Sequence, residues 1–265
     1  MLIDAHNHLH DARLVPYRAA IFAELARLGV TRAVVNGTRE SDWPAVAELA
    51  REKAWVLPSF GLHPWQVAGR SANWLVGLRE HLDAHADAAI GEIGLDRWIT
   101  GHDPAEQHTV FTAQLALAAE RNLPATLHCV RAWGPLWEII RTQPVPACGF
   151  LLHAYSGSAE MVPGFLKRGA YFSFNAYFLH ERKVAARAIF ARLPADRVLV
   201  ETDAPDLAPP AGRNPHPLED PNDQPINDPA NLAFTYATLS DLRSVPLAEL
   251  TAQVAENFAR LFARN

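Results

Sequence analysis

A TIM-type (β/α)8 barrel is the fold class that this 265-residue sequence predicts, and three observations predict it. Its strand-like runs are short and almost continuously apolar, as parallel strands covered on both faces must be. Segments with apolar residues at helical spacing separate those runs, so successive strands pair in parallel through helical crossovers. Side chains able to hold a metal ion recur at the C-terminal ends of the runs, where such barrels carry their chemistry.

The elements follow in order. "LIDAH" at 2–6 leads to the helical segment "YRAAIFAELARLG" at 17–29, which stops at a glycine. "RAVVNG" at 32–37 precedes a helix over 43–52, and "AWVLPSFG" at 54–61 precedes one over 73–86. "AAIGEIG" at 88–94 leads into "AEQHTVFTAQLALAAERN" at 105–122, which closes before Pro124. Then come "PATLHC" at 124–129 with a helix over 133–141, "CGFLLHA" at 148–154 with 159–168, and "AYFSFN" at 170–175 with 181–192. "RVLVETD" at 197–203 is the last strand, and helices over 230–241 and 247–262 complete the count. Between them, residues 204–231 are dense in Pro, Asn and Asp. That segment is expected to be an ordered loop, either a passive connection or a cap over the barrel mouth. No internal repeat or linker divides the chain, so residues 1–265 are expected to form one domain.

Composition narrows the function. Hydrophobic content of 49% and charged content of 20% describe an ordinary globular protein. No apolar run is long enough to span a bilayer, and strand-like sequence starts at Leu2 with no signal peptide ahead of it, so a cytoplasmic location is expected. Cys129 and Cys148 are too few for a disulfide framework or a cysteine cluster. A net charge of -5 argues against a broad basic surface for duplex DNA, so any nucleic-acid contact is local. No obligate protein partner is expected.

The chemistry-bearing residues begin at "LIDAHNHLH". Residues two apart on a strand share a face, so His6 and His8 can grip one ion, whereas His10 is expected to fall in the following loop and not to be a ligand. Glu92, His128, His153 and Asp203 join them at other predicted strand ends. Burying such groups without partners is costly, which points to a metal centre rather than to packing. Four imidazoles and two carboxylates exceed what a single tetrahedral catalytic ion uses. Two divalent ions are therefore expected, with Glu92 as the candidate bridge and Gly91 and Gly94 allowing close approach beside it. The donor set accepts Zn, Mn, Ni, Co or Mg.

Taken in order, "IDAHNHLH", "GLHPW", "GEIGLD", "QLALAAERNLPATLH", "LHAYSGS", "ETDAP" and "ENFARLF" resemble the motifs of the TatD-related deoxyribonuclease family within the metal-dependent amidohydrolase superfamily. The match runs from Leu2 to about Phe262. The resemblance implies a divalent-metal hydrolase in which His6, His8 and Asp203 surround one ion, His128 and His153 the other, and Glu92 lies between them. It also implies that Asp203 handles the proton of the attacking water. Two charges held about 3.5–4 Å apart activate that water and polarise a phosphoryl or carbonyl oxygen. The expected catalytic residues are thus Asp203, Glu92 and His63.

Substrate contacts are expected from His63, Trp65, Arg131 and Asn227. His63 is the candidate for a phosphate or leaving-group contact. Asn227 in "NDP" is similar to the family's Asn-x-Pro element, with Asn214 in "RNPHP" competing for that match. Two departures stand out: the family's usual His-x-Arg reads "HCVRAW" here, so Arg131 lies three residues beyond His128, and Ala154 and Tyr155 replace the usual Cys and Phe. Trp65, Trp98 and Trp133 in strand-to-helix loops offer either a stacking surface for unpaired bases or rim packing. The expected activity is a 3′-to-5′ deoxyribonuclease acting on nucleic-acid ends, chiefly single-stranded DNA. The competing expectation keeps the site for esters or amides, including removal of D-amino acids from tRNA. Lys53, Lys167 and Lys183 all lie on predicted helices, which disfavours a carbamylated-lysine centre.

Overall fold

The computed structural model of the chain describes residues 1–263. Eight strands follow one another through one sheet in chain order: β1 (Leu2–Asn7), β2 (Val30–Asn36), β3 (Val56–Phe60), β4 (Ala89–Asp96), β5 (Ala125–Val130), β6 (Phe150–Leu152), β7 (Ala170–Phe174) and β8 (Val198–Val200). Helices α1 (Arg18–Arg27), α2 (Trp43–Glu52), α3 (Trp74–Ala84), α4 (Pro104–Arg121), α5 (Trp133–Thr142), α6 (Val162–Lys167) and α7 (Val184–Phe190) alternate with them. Helices α8 (Leu232–Arg243) and α9 (Leu247–Phe262) follow β8. This is the parallel (β/α)8 barrel. Among the described residues no helix is long and apolar enough to cross a membrane.

Two compact units make up the chain, one of Met1–Val35 with Ser173–Ala259, the other of Asn36–Phe172 with the segment from Arg260 onward. In the first, the buried Tyr236 hydroxyl accepts from Ile3 N and donates to Ile3 O, fixing α8 to β1. Phe174, Phe178 and Phe190 cluster edge to face behind it. In the second, strands β3, β4 and β6 are fully buried, as are Phe111, Phe165 and Trp43, whose indole N–H donates to Gly61 O.

Helix α4 shows how local sequence positions the chemistry. Asp103 caps its first turn by accepting from Ala105 N, Pro104 occupies the first position where no amide is needed, and Asn122 ends it at φ 48°. Its buried face carries two glutamines. Gln114 bonds both backbone groups of Leu62, and Gln107 accepts from Asp96 N. The exits of β3 and β4 are thereby held by side chains where the strand ladder ends.

Three boundaries differ from the sequence expectation. Strand β6 starts only at Phe150 because Gly149 adopts φ 103°, with space for a Cβ blocked by Gly169 O at 2.5 Å. Helix α6 is short because it starts only at Val162, with Pro163 in its first turn, after a separate 3-10 turn at Ala159–Met161. The segment after β8 is more regular than a loop: it holds an antiparallel hairpin of β9 (Pro217–Glu219) and β10 (Pro225–Asn227). Asp220 builds its tip, its side chain accepting from the amides of Asn222 and Gln224.

Candidate metal centre

The first ligand cluster lies wholly within the first unit. His6 is on β1, His8 follows its end, and Asp203 follows β8. Both imidazole Nε2 atoms face one carboxylate oxygen, at 3.2 Å from His6 and 3.5 Å from His8 to Asp203 Oδ1. Asp203 sits at φ 57°, and its amide donates to His6 O at 2.9 Å. Thr202 secures the approach to it: its amide and hydroxyl donate to Asp4 at 3.0 and 2.6 Å. Its carbonyl accepts from Asn175 and Asn227, each at 2.7 Å. Burial pushes the Asp4 carboxyl up to about 7, although the Thr202 donors and His6 N pull the other way.

The second cluster lies wholly within the second unit. Glu92 Oε1, on β4, is 2.9 Å from His128 Nδ1, 2.9 Å from His153 Nε2 and 3.5 Å from His63 Nε2. His128 Nδ1 and His153 Nε2 are themselves 3.3 Å apart. Gly94 enables this approach: at φ 149°, an added Cβ would stand 2.0 Å from His128 O. The close neighbour allowed by the glycine is thus the β5 backbone. On the far side of the His128 ring, Nε2 is 2.8 Å from Asp96 Oδ2. Burial pushes the His128 pKa down, but the Asp96 and Glu92 carboxylates more than reverse this and leave it raised. Burial pushes Asp96 up, and it is outweighed by the His128, Trp98 and Trp65 donors, which hold the carboxyl at about 2.

These donor sets suit divalent ions. Around a zinc-sized tetrahedral ion, ligands at about 2.0–2.1 Å lie about 3.3 Å from one another. The separations among His6, His8 and Asp203 and among Glu92, His128 and His153, 2.9–3.5 Å, match that spacing. Without an ion, His128 can donate from both ring nitrogens, Nε2–H to Asp96 and Nδ1–H to Glu92; with Nε2–H held by Asp96, an ion that displaced the Nδ1 proton would find that lone pair aimed at it. His63 is different. Its Nδ1 accepts from Trp65 N at 3.2 Å, so in the neutral ring Nε2 carries the hydrogen and serves as a donor rather than as a ligand.

Residues 3–263 match the model of the TatD related DNase family. The chain belongs to that family. It is 30% identical over 263 residues, covering 98% of this chain and 99% of the relative, to the 3'-5' ssDNA/RNA exonuclease TatD of Erwinia tasmaniensis. It is 28% identical, with complete coverage of both chains, to the uncharacterized metal-dependent hydrolase YabD of Bacillus subtilis. Among solved structures, the TatD homologue YjjV of Escherichia coli superimposes with a TM-score of 0.89 at 27% identity, covering 100% of this chain and 98% of that one. As a TatD-related protein the chain is an enzyme, a metal-dependent hydrolase acting on ester bonds.

In this TatD-related chain the remaining expected residues fall in distinct settings. His10 lies in the turn after β1, its carbonyl accepting from Arg18, and belongs to none of the close ligand groups among the described residues. Asn227 is 2% exposed and its amide donates to Thr202 O and accepts from Asn231. These bonds brace the segment that carries Asp203. Asn214 instead bonds His216 N. Trp133 is half-buried and packs its ring edge to face on Tyr155 at 4.5 Å. Trp65 and Trp98 stay exposed. Arg131, at φ 53°, places its guanidinium over the Trp98 ring. Sequence reasoning missed Asp4 and Asp96. Strand alternation contained the signal for both, since Asp4 shares a face with His6, and Asp96 with Glu92.

Proposed function

We propose that the chain is a 3′-to-5′ exonuclease that hydrolyses phosphodiester bonds at single-stranded nucleic-acid ends, with one divalent ion in each ligand cluster. The observation that carries this is the pair of carboxylate-imidazole clusters at strand exits, in a chain 30% identical to a relative named as a 3'-5' ssDNA/RNA exonuclease. When bound, such ions polarise a phosphoryl oxygen and lower the pKa of a coordinated water toward about 7. The protein's residues supply the rest. Asp203 accepts the proton of the attacking water at its carboxylate, held in place by the Asp4, Asn175 and Asn227 contacts to Thr202. His63 donates from Nε2 to a phosphate oxygen or the leaving group. Glu92 orients His128 and His153, and Asp96 fixes the His128 tautomer. Trp65 and Arg131 meet the substrate outside these groups.

The test compares metal-reconstituted wild type with Asp203→Asn on single-stranded DNA, RNA, duplex DNA and D-aminoacyl-tRNA. Stepwise mononucleotide release from the 3′ end, lost in the variant, is the expected result. Metal-dependent deacylation without any cut nucleic acid would overturn the nuclease reading while keeping the hydrolytic centre.

A further inference from the structure

The Trp98–Arg131 pair stands outside the ligand clusters but is tied to one of them. The guanidinium carbon of Arg131 lies 4.1 Å above the centroid of the Trp98 ring. Trp98 is 59% exposed, and no carboxylate among the described residues pairs with Arg131. An exposed indole capped by an unneutralised guanidinium offers flat π faces and a rim of unspent N–H donors together. Neither is needed for the core, since both side chains project from loops beyond β4 and β5.

Their position is set by Asp96. One carboxylate oxygen receives the Trp98 amide at 2.6 Å, and the other receives the Trp65 indole N–H and His128 Nε2, each at 2.8 Å. The platform and the ligand cluster are therefore registered by a single buried side chain. Val130 takes the ladder position opposite Asp96, and Arg131 turns out at φ 53° onto Trp98.

We propose that Trp98 and Arg131 form a subsite for one unpaired nucleobase with its phosphate: the base stacks on the flat pair, and the guanidinium edge holds the phosphate. The proposal rests on the nuclease reading and deepens it. A base inside a duplex has no free face for such a platform, so this subsite selects single-stranded ends. Base-aromatic stacking is tolerant of base identity, so little sequence preference follows.

The test uses metal-loaded protein and two oligothymidylates, one normal and one carrying abasic tetrahydrofuran units at its 3′-terminal positions. Wild type is expected to prefer the normal substrate by on the order of tenfold in kcat/KM, expressed mainly in KM. In Trp98→Leu that ratio collapses toward one, Trp98→Phe restores most of it, and Arg131→Lys lowers it by losing the planar stack. Fluorescence anisotropy of a labelled oligothymidylate gives the same order of affinities without turnover. A ratio unchanged in Trp98→Leu, or an equal loss on both substrates, overturns the subsite and leaves the nuclease reading intact. Absence of nucleotide release from both substrates by wild type overturns the nuclease reading and the subsite with it.

Discussion

Asp96 makes the most consequential contacts of any side chain that binds no predicted ion. It donates nothing and accepts from His128, Trp65 and the Trp98 amide. Asp96→Asn presents an amide where His128 needs an acceptor, so the ring loses its selected tautomer. The expected outcome is a loss of about 10–100-fold in metal affinity at the second cluster, measured by calorimetric titration of zinc or manganese, with little change in the thermal midpoint of the metal-free protein. Asp4 predicts a pH effect in the metal-free protein. Its carboxyl rises from the ordinary 3.8 to about 7 on folding, so its neutral form is the one favoured in the native state. The stability it contributes is present at low pH and is lost as pH rises from about 4 through about 7. Urea midpoints of metal-free wild type should therefore fall over that window relative to those of Asp4→Asn, and parallel profiles would refute the assignment.

At the scale of elements, β4 combines packing and chemistry in one stretch. Its residues are buried throughout, yet Glu92 and Asp96 face the cluster on either side of Gly94. Gly94→Ala forces a methyl onto the His128 carbonyl, a backbone atom that cannot swing aside. We expect a loss of about 2–3 kcal/mol in chemical denaturation, together with weakened metal binding through the displaced His128. The strands themselves were legible because apolar runs and intervening helical periodicity are strong signals. Ligand candidates were legible because His6, His8, Glu92, His128, His153 and Asp203 are polar exceptions at the ends of apolar runs. For Asp4 and Asp96 alternation gave the face but not the role, since a lone acid beside a recognised ligand reads like a solvated one until its donors are seen. The β9–β10 hairpin escaped because three-residue strands that start with proline carry no alternation and look like turn.

Across the whole molecule, the ligand clusters couple metal content to stability. Asp203 and Glu92 are buried among imidazoles, and an ion that binds only the native chain shifts the folding equilibrium by mass action, about 2.7 kcal/mol at a ligand concentration 100 times Kd. Chelation should lower the thermal midpoint and added zinc or manganese restore it. His8→Ala and His153→Ala should each reduce the bound metal by about one ion, as read by elemental analysis after dialysis. Retention of both ions in either variant would exclude that ligand. The net charge of -5 adds a further expectation: with only local cationic contacts, binding of single-stranded DNA should weaken with salt less steeply than in a protein with a broad basic face.

The hairpin after β8 has a practical consequence for handling the enzyme. Its tip is fastened by the Asp220 bonds to Asn222 and Gln224, whereas Asn227 at its base is tied to Pro205 and Thr202. Mechanical support for Asp203 therefore enters at the base alone. A peptide tag or fluorescent reporter inserted at Asn222 lengthens an exposed turn without loosening those ties. That makes the hairpin tip a natural attachment point for immobilising the enzyme or following it in a mixture.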